Sequence, residues 1–181
     1  MFLERGARFL NELAEDPRGS TYTIIGSLTL TAFAFEAYLN HIGIKKLGLW
    51  DESERMGVMD KYHGVCGKLG LTPDFGRRPY QTLRRLFSFR NAVAHGKTEE
   101  VEEKKIVSAD SDPHEHAPTT FWQKCLTLEF SKRAHDDVEK IIEELHYKAG
   151  GDERGPFVHG MAIGSMTLAA AGPSAPKTKL P

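Results

Sequence analysis

The segment from Ser20 to Gly48 carries the apolar pattern that most restricts how this chain can fold. Apolar side chains recur there at alternating steps of three and four residues: Ile25, Leu28, Ala32, Phe35, Leu39 and Ile42. This spacing places them on one face of an α-helix that packs lengthwise against a partner helix. Ser20 or Thr21 is the expected N-cap, and Gly48 lies near the expected helix end. The pattern therefore predicts a helical bundle.

Other segments also show helical periodicity next to residues that start or stop helices. They are 2–15 with Phe2, Phe9, Leu10 and Leu13 inward, 53–69 before Gly70, Pro79–His95 before Gly96, and a last helix that Thr127 caps, with Phe130, Ala134, Val138, Ile141 and Leu145 inward. Residues 97–119 are polar and charged, which predicts a loop excursion before the last helix. The expected fold class is all-α, a bundle of four to five helices.

The 181 residues are enough for one domain with a proper core. We expect a helical domain over 1–149. Residues 150–181 are rich in Gly, Ala and Pro without usable periodicity, which predicts a tail that is flexible or docked on a partner. The net charge of −1 excludes general affinity for polyanions, so any binding of nucleic acid must use a local patch.

Residues 24–44 contain one formal charge, at Glu36, and approach the length of a membrane span. Polar residues such as Thr29, Asn40 and His41 would then enter the hydrocarbon, so a buried core helix is favoured and no membrane association is expected. The two cysteines, Cys66 and Cys125, show no metal-binding or redox spacing, which suits a reducing cytosol. The N-terminus has no apolar signal region. These features predict a cytoplasmic protein.

The end of the fourth predicted helix combines three residues that suit phosphodiester chemistry. Asn91 and His95 are four residues apart and share a helix face, and the long side chain of Arg90 can reach the same place. Histidine exchanges protons near neutral pH. A guanidinium can hold phosphate oxygens as charge builds in the transition state.

Basic residues are concentrated around this helix, and no acidic residue occurs between Phe75 and Thr98. The basic residues are Arg77, Arg78, Arg84, Arg85, Arg90 and Lys97. Because RNA affinity depends largely on phosphate neutralisation, this patch is the expected RNA-binding surface. A solvated basic face without a ligand is the alternative interpretation.

The stretch Arg90-Asn91-Ala92-Val93-Ala94-His95 resembles the R-N-x-x-x-H motif of the HEPN superfamily, which usually lies late in a helix. The second predicted helix, with the segment 35–40, also resembles the long second helix of those domains. The resemblance covers roughly residues 2–148 in helix order, and the motif is its specific part. Some members carry a tyrosine two residues after the histidine, which a partner nucleotidyltransferase modifies. Lys97 stands there instead, which counts against that pairing.

The resemblance implies a HEPN-like bundle that cuts RNA without metal or cofactor. It also implies a homodimer that brings two copies of the motif into one composite cleft. His95 would move protons, Arg90 would stabilise the charged phosphorane, and Asn91 would position phosphate or the catalytic side chains. The 2′-hydroxyl of the RNA would be the nucleophile.

Glu36 interrupts the apolar second helix, and a carboxylate buried there needs a partner. Arg90 is the expected partner if the two helices pack together. Glu36 then either orients Arg90 in the cleft or forms a purely structural salt bridge, and both interpretations stay open.

Other candidate sites are weaker. Asp110, Asp112, His114 and His116 lie in a loop with irregular spacing, so no metal site is predicted. The histidines outside these two regions, among them His135, show no surrounding constellation. Two further functions remain as alternatives: a non-catalytic HEPN-like module that binds RNA, a nucleotide or a protein partner such as a regulatory protein, and a generic helical scaffold whose tail docks elsewhere. The structural alternative for the motif is an arginine and a histidine at a helix end that only form hydrogen bonds.

Overall fold

The structure, a computed structural model, describes residues 2–16, 18–48, 56–96, 98–104, 106, 117–151 and 155–157. Its α-helices within these ranges are α1 (Phe2–Leu13), α2 (Ser20–Leu47), α3 (Val58–Leu69), α4 (Tyr80–His95) and α5 (Leu128–Lys148). A single 3₁₀ turn, Gln123–Cys125, precedes α5. The described residues contain no β-strand, and the predicted all-α fold class is confirmed.

The long helix α2 lies at the centre and contacts each of the other four helices. Its predicted apolar face is correct, because five of the six residues are buried and Ile25 is partly buried. Phe35 joins three helices, since its ring centroid lies 5.4 Å from that of Tyr62 in α3 and 5.7 Å from that of Phe87 in α4. This packing fixes α4, which carries the motif, against α2, which carries Glu36.

Local signals locate most of the helix ends. Thr127 caps α5 as predicted, because its hydroxyl accepts a hydrogen bond from the backbone N–H of Phe130 at 3.1 Å. Gly96 ends α4 in the left-handed conformation with φ 54°, which a glycine adopts at no steric cost. The predicted cap of α2 is wrong: the helix already begins at Ser20, and the N-cap is Gly19.

The predicted inward face of α1 is wrong at three of its four residues, whereas Leu10 is partly buried. Phe2, Phe9 and Leu13 are exposed at 85%, 58% and 48%, whereas Ala7 and Asn11 are buried. The cause is the close approach of α1 to α2 at small residues. A Cβ atom added at Gly26 of α2 would lie only 2.9 Å from Cδ1 of Leu10, and one added at Gly6 of α1 would lie 3.1 Å from Cδ1 of Leu30, so each leucine packs onto a glycine of the opposite helix.

Within the described residues, Ser20–Gly43 is a stretch of helix long and apolar enough to cross a membrane by length and composition alone. Half of its most apolar window is buried inside the bundle.

The described part of the predicted loop excursion, 98–104, 106 and 117–119, contains no helix or strand. The remainder of that excursion, including Asp110–His116, lies outside the described residues, as does most of the predicted 150–181 tail. Where the tail is described, Phe157 packs against the core. Cys66 and Cys125 are both buried and free.

Candidate functional site

Helix α4 holds the motif because its apolar side anchors it to the core. Leu83, Leu86 and Phe89 are fully buried, while the opposite side of the helix faces solvent. The motif residues lie in the last turns of this helix, and the packing of its apolar side holds them in place. The backbone N–H of Gly96 donates to the carbonyl of Ala92 at 3.1 Å and closes the final turn.

Glu36, Arg90, Asn91 and His95 all line one cleft of about 350 Å³, which we call the motif cleft. Its other walls are Phe87 and the segment 56–60 at the start of α3. The structure thus brings together residues from α2 and α4 that are separated by more than fifty positions in sequence.

Arg90 is held by several partners in this cleft. Its guanidinium donates to Glu36 Oε2 at 3.3 Å and to Asn91 Oδ1 at 3.1 Å, and it lies 5.7 Å from the ring centroid of Phe33. The predicted ion pair between Glu36 and Arg90 is confirmed. Both side chains are 26% exposed, so the pair lies at the wall of the cleft and still contacts solvent. Within the described residues, the Nε atom of Arg90 is buried without a hydrogen-bond partner.

His95 differs from Arg90, because its side chain is exposed at the end of α4. Among the residues that the structure describes, none forms a hydrogen bond or an ion pair with the His95 ring. Its nitrogens are therefore accessible to a ligand that enters the motif cleft. Asn91, one turn earlier on the same face, is exposed as well.

Asp60 also lines the motif cleft, and the sequence analysis missed it. It belongs to the first turn of α3, where a carboxylate is favoured by the helix dipole. That local role explains its position in sequence. Only the packing of α3 beside α4 brings it near the motif.

Apart from Arg90, the described basic residues of the predicted RNA-binding surface lie on α4 or just before it, away from the motif cleft. Arg78, Arg84 and Arg85 line a second cleft of about 490 Å³. Arg133 of α5 lines it too, and sequence reasoning missed this residue because no local pattern links α5 to α4. We call this cleft the arginine cleft. None of its lining residues is acidic.

The arginines differ in how far their charge is already neutralised. Arg78 donates two hydrogen bonds to the buried carboxylate of Asp137, at 2.8 and 2.7 Å. These hydrogen bonds, together with the charge of Asp137, raise the pKa of Arg78. Arg77 lies 3.4 Å from Asp74 and does not line the arginine cleft. The predicted RNA-binding residue Lys97 lies outside the described residues.

Arg84 and Arg85 stack on aromatic rings instead. The guanidinium carbon of Arg84 lies 5.0 Å from the ring centroid of Phe75, and that of Arg85 lies 4.6 Å from Phe130. Arg85 also donates to the backbone carbonyl of Lys124 at 3.3 Å. Arg84 is exposed, and none of the described carboxylates pairs with it.

One exposed polar face of α4 connects the two clefts. Its members follow steps of three and four residues: Gln81, Arg84, Ser88, Asn91 and His95. At 1.5 Å per residue this face extends about 21 Å. It contains no acidic residue, so an extended anion can lie along it.

A third cluster contradicts the expectation that His135 lacks a constellation. His135 of α5 lies beside Glu4 of α1 and Glu139 of α5, and these residues share no wall with either cleft. The spacing of His135 and Glu139, four residues apart on one helix, could have indicated this pair, but no sequence pattern links them to Glu4, which is more than a hundred residues away.

The motif cleft combines an exposed imidazole, a positioned guanidinium and an amide. These are the groups needed to move protons and to stabilise charge on a phosphodiester. No family model, curated protein or solved structure matches this chain.

Proposed function

We propose that this protein is a metal-independent endoribonuclease of the HEPN type that acts through Arg90 and His95. The observation that carries the proposal is the convergence of Glu36, Arg90, Asn91 and His95 in one cleft. Arg90 is oriented there by Glu36, while His95 remains accessible. Arg90 is thus suited to stabilise charge from a fixed position, and His95 is suited to transfer protons.

The chemistry follows from these groups. An imidazole of His95 removes the proton from the 2′-hydroxyl of the RNA, and the 2′-oxygen attacks the neighbouring phosphorus. The bond from phosphorus to the 5′-oxygen breaks, and that oxygen takes a proton from a second imidazole or from water. Arg90 stabilises the negative charge of the phosphorane. The products are a 2′,3′-cyclic phosphate and a 5′-hydroxyl.

The polar face of α4 gives the RNA a path. In this proposal, phosphates of the strand lie in the arginine cleft, near Arg84, and the scissile phosphate lies beside His95. Phosphate contacts position a nucleic acid without selecting its sequence. We therefore expect broad affinity for single-stranded RNA.

A second copy of the chain completes the site. One chain supplies a single accessible histidine at its motif cleft, and the reaction needs both a base and an acid. An isologous dimer formed around the exposed face of α4 would bring two His95 side chains to one composite site.

One observation favours a different function, a non-catalytic module that binds RNA. The guanidinium of Arg90 donates hydrogen bonds to Glu36 and Asn91 of its own chain, as expected of a structural pair. The same arginine cleft would then bind RNA without turnover.

Incubation of the purified protein with mixed RNAs in EDTA tests the proposal. We expect cleavage by the wild type and a loss of at least about a hundredfold for Arg90→Ala and His95→Ala, the range for one positioned catalytic group. Arg18→Ala and His63→Ala are matched controls, because these exposed residues lie outside both clefts.

Circular dichroism of each variant shows whether it has folded. An oligonucleotide with deoxyribose at the scissile position should bind and resist cleavage, because it lacks the nucleophile. Binding without turnover by the wild type would support the non-catalytic module instead.

A further inference from the structure

Helices α1 and α5 bring Glu4, His135 and Glu139 together in a group that shares no residue with the proposed ribonuclease site. One potential ligand atom from each residue lies within 4.8 Å of the others. A groove of about 370 Å³, which includes Glu4, Glu139 and Phe9 in its walls, opens beside the group and gives a hydrated ion access.

His135 is the residue that indicates a missing ligand. Its side chain is only 7% exposed, and among the described residues its Nε2 atom has no hydrogen-bond partner. This nitrogen lies 3.4 Å from Oε1 of Glu4, within ion-pair distance but without the geometry of a hydrogen bond. On the other side of the ring, Nδ1 lies 3.7 Å from Asp136 and 3.8 Å from Glu139. A buried polar nitrogen without a partner is costly, and a ligand would remove this cost.

The guanidinium of Arg8 neutralises the adjacent carboxylates of Glu4 and Glu139. One nitrogen of its guanidinium donates to Glu4 at 2.9 Å and to Glu139 at 2.7 Å. Burial raises the pKa of Glu139, and the adjacent Glu4 raises it further, while His135 and Arg8 lower it. The side chain of Arg8 is 57% exposed, so it can move into solvent when another cation enters.

We propose that Glu4, His135 and Glu139 bind one divalent transition-metal ion, with Zn²⁺ as the best match, which fastens α1 to α5. One imidazole nitrogen and two carboxylate oxygens form a ligand set that Zn²⁺ accepts readily. Mg²⁺ and Ca²⁺ prefer oxygen ligands throughout. The ion would displace the Arg8 guanidinium from between the two carboxylates.

Titration of the untagged full chain with ZnCl₂ tests this site, with calorimetry for affinity and thermal unfolding for stability. We expect one ion per chain and a rise in Tm of about 5 to 10 °C at a zinc concentration of 100 times Kd. Glu139→Gln should weaken binding at least about tenfold, because it removes a metal ligand. Arg8→Gln should strengthen binding, because it removes the competing cation.

Two controls separate this site from other histidines. The double variant His114→Ala/His116→Ala removes both histidines from the other group of histidines and acids, 110–116, and should keep wild-type zinc affinity. Glu12→Gln changes the same groove without removing a ligand and should also bind normally. Absence of saturable binding, or its loss in the double variant but not in Glu139→Gln, would overturn the proposal. If Glu139→Gln does not fold, weaker binding by Arg8→Gln would overturn it equally.

Chelation distinguishes this inference from the proposed ribonuclease activity. EDTA should lower Tm by removing the ion, while the cleavage products at the motif cleft should stay the same.

Discussion

Glu36 and Arg90 form the contact on which the interpretation of the site depends. Each side chain keeps about a quarter of its surface exposed, and the two charged atoms are 3.3 Å apart. Ion pairs in contact with solvent contribute only about 0 to 1 kcal/mol to stability. The pair therefore matters little for the fold, and its main effect is to fix the direction of the Arg90 guanidinium.

Glu36→Gln should give an activity between those of the wild type and Arg90→Ala. The amide can still accept one hydrogen bond from Arg90, but it no longer holds the guanidinium by charge. We expect kcat/KM to fall about tenfold, an orientation loss of about 1.4 kcal/mol in the transition state. Urea unfolding should show a stability change below about 1 kcal/mol. Glu143→Gln, an exposed change on α5, is the matched control. Wild-type rates for Glu36→Gln would remove Glu36 from the site.

The arginines on α4 and just before it differ in their partners. Arg78, just before α4, is bound to the buried carboxylate of Asp137, whereas Arg84 stacks on Phe75 and has no described carboxylate partner. The charge of Arg84 is therefore available for a phosphate, and that of Arg78 is largely compensated.

Arg84→Gln and Arg78→Gln should consequently affect different properties, RNA binding in the first case and stability in the second. Arg84→Gln should weaken RNA binding and reduce the slope of log K against log salt by about 0.7, the value for one phosphate contact on a single strand. Arg78→Gln should keep the slope and lower Tm, because it leaves the carboxylate of Asp137 without its partner. Fluorescence anisotropy at several salt concentrations measures the slope. Equal slopes for the two variants would contradict this distinction.

Hydrophobic periodicity predicted α2 and α5 well, because large apolar residues make their buried faces. All five residues assigned to the inner face of α5 are buried. The same criterion failed for α1, where Ala7 and Asn11 are buried and Phe9 is not. Small residues and hydrogen bonds hold α1, and neither contributes to an apolar pattern.

Asn11→Ala should reveal how strongly these hydrogen bonds hold α1. Its Oδ1 accepts from the hydroxyl of Ser27 at 2.9 Å and from that of Ser131 at 2.6 Å, and all three residues are buried. Removal of the shared acceptor should destabilise the fold by about 1 to 3 kcal/mol in urea unfolding. The neighbouring exposed change Glu12→Ala should stay within about 0.5 kcal/mol of the wild type. A neutral Asn11→Ala would mean that the hydrogen bonds to Asn11 do not hold α1.

The parts of the site that lie within one helix could be predicted from the sequence. Arg90, Asn91 and His95 are adjacent in α4, and the charge of Glu36 was conspicuous in an apolar segment. Arg133 and the group around His135 depend on contacts between distant helices. No spacing rule relates such residues, so only the folded chain brings them together.

A composite site requires that the protein form a dimer in solution. Light scattering at micromolar concentration should give the mass of a dimer. Arg90→Ala and His95→Ala should each be inactive alone, but a mixture that exchanges subunits should regain part of the wild-type activity, with water as the acid in place of the second imidazole. If subunits of the proposed isologous dimer exchange at random, an equal ratio makes about half of the dimers mixed. Each mixed dimer contains one intact Arg90 and one intact His95 on different chains. Activity should therefore peak at equal amounts of the two variants. A monomeric wild type would contradict the composite site. A dimeric mixture without recovered activity would show either that both residues act from the same chain or that the reaction needs both His95 side chains.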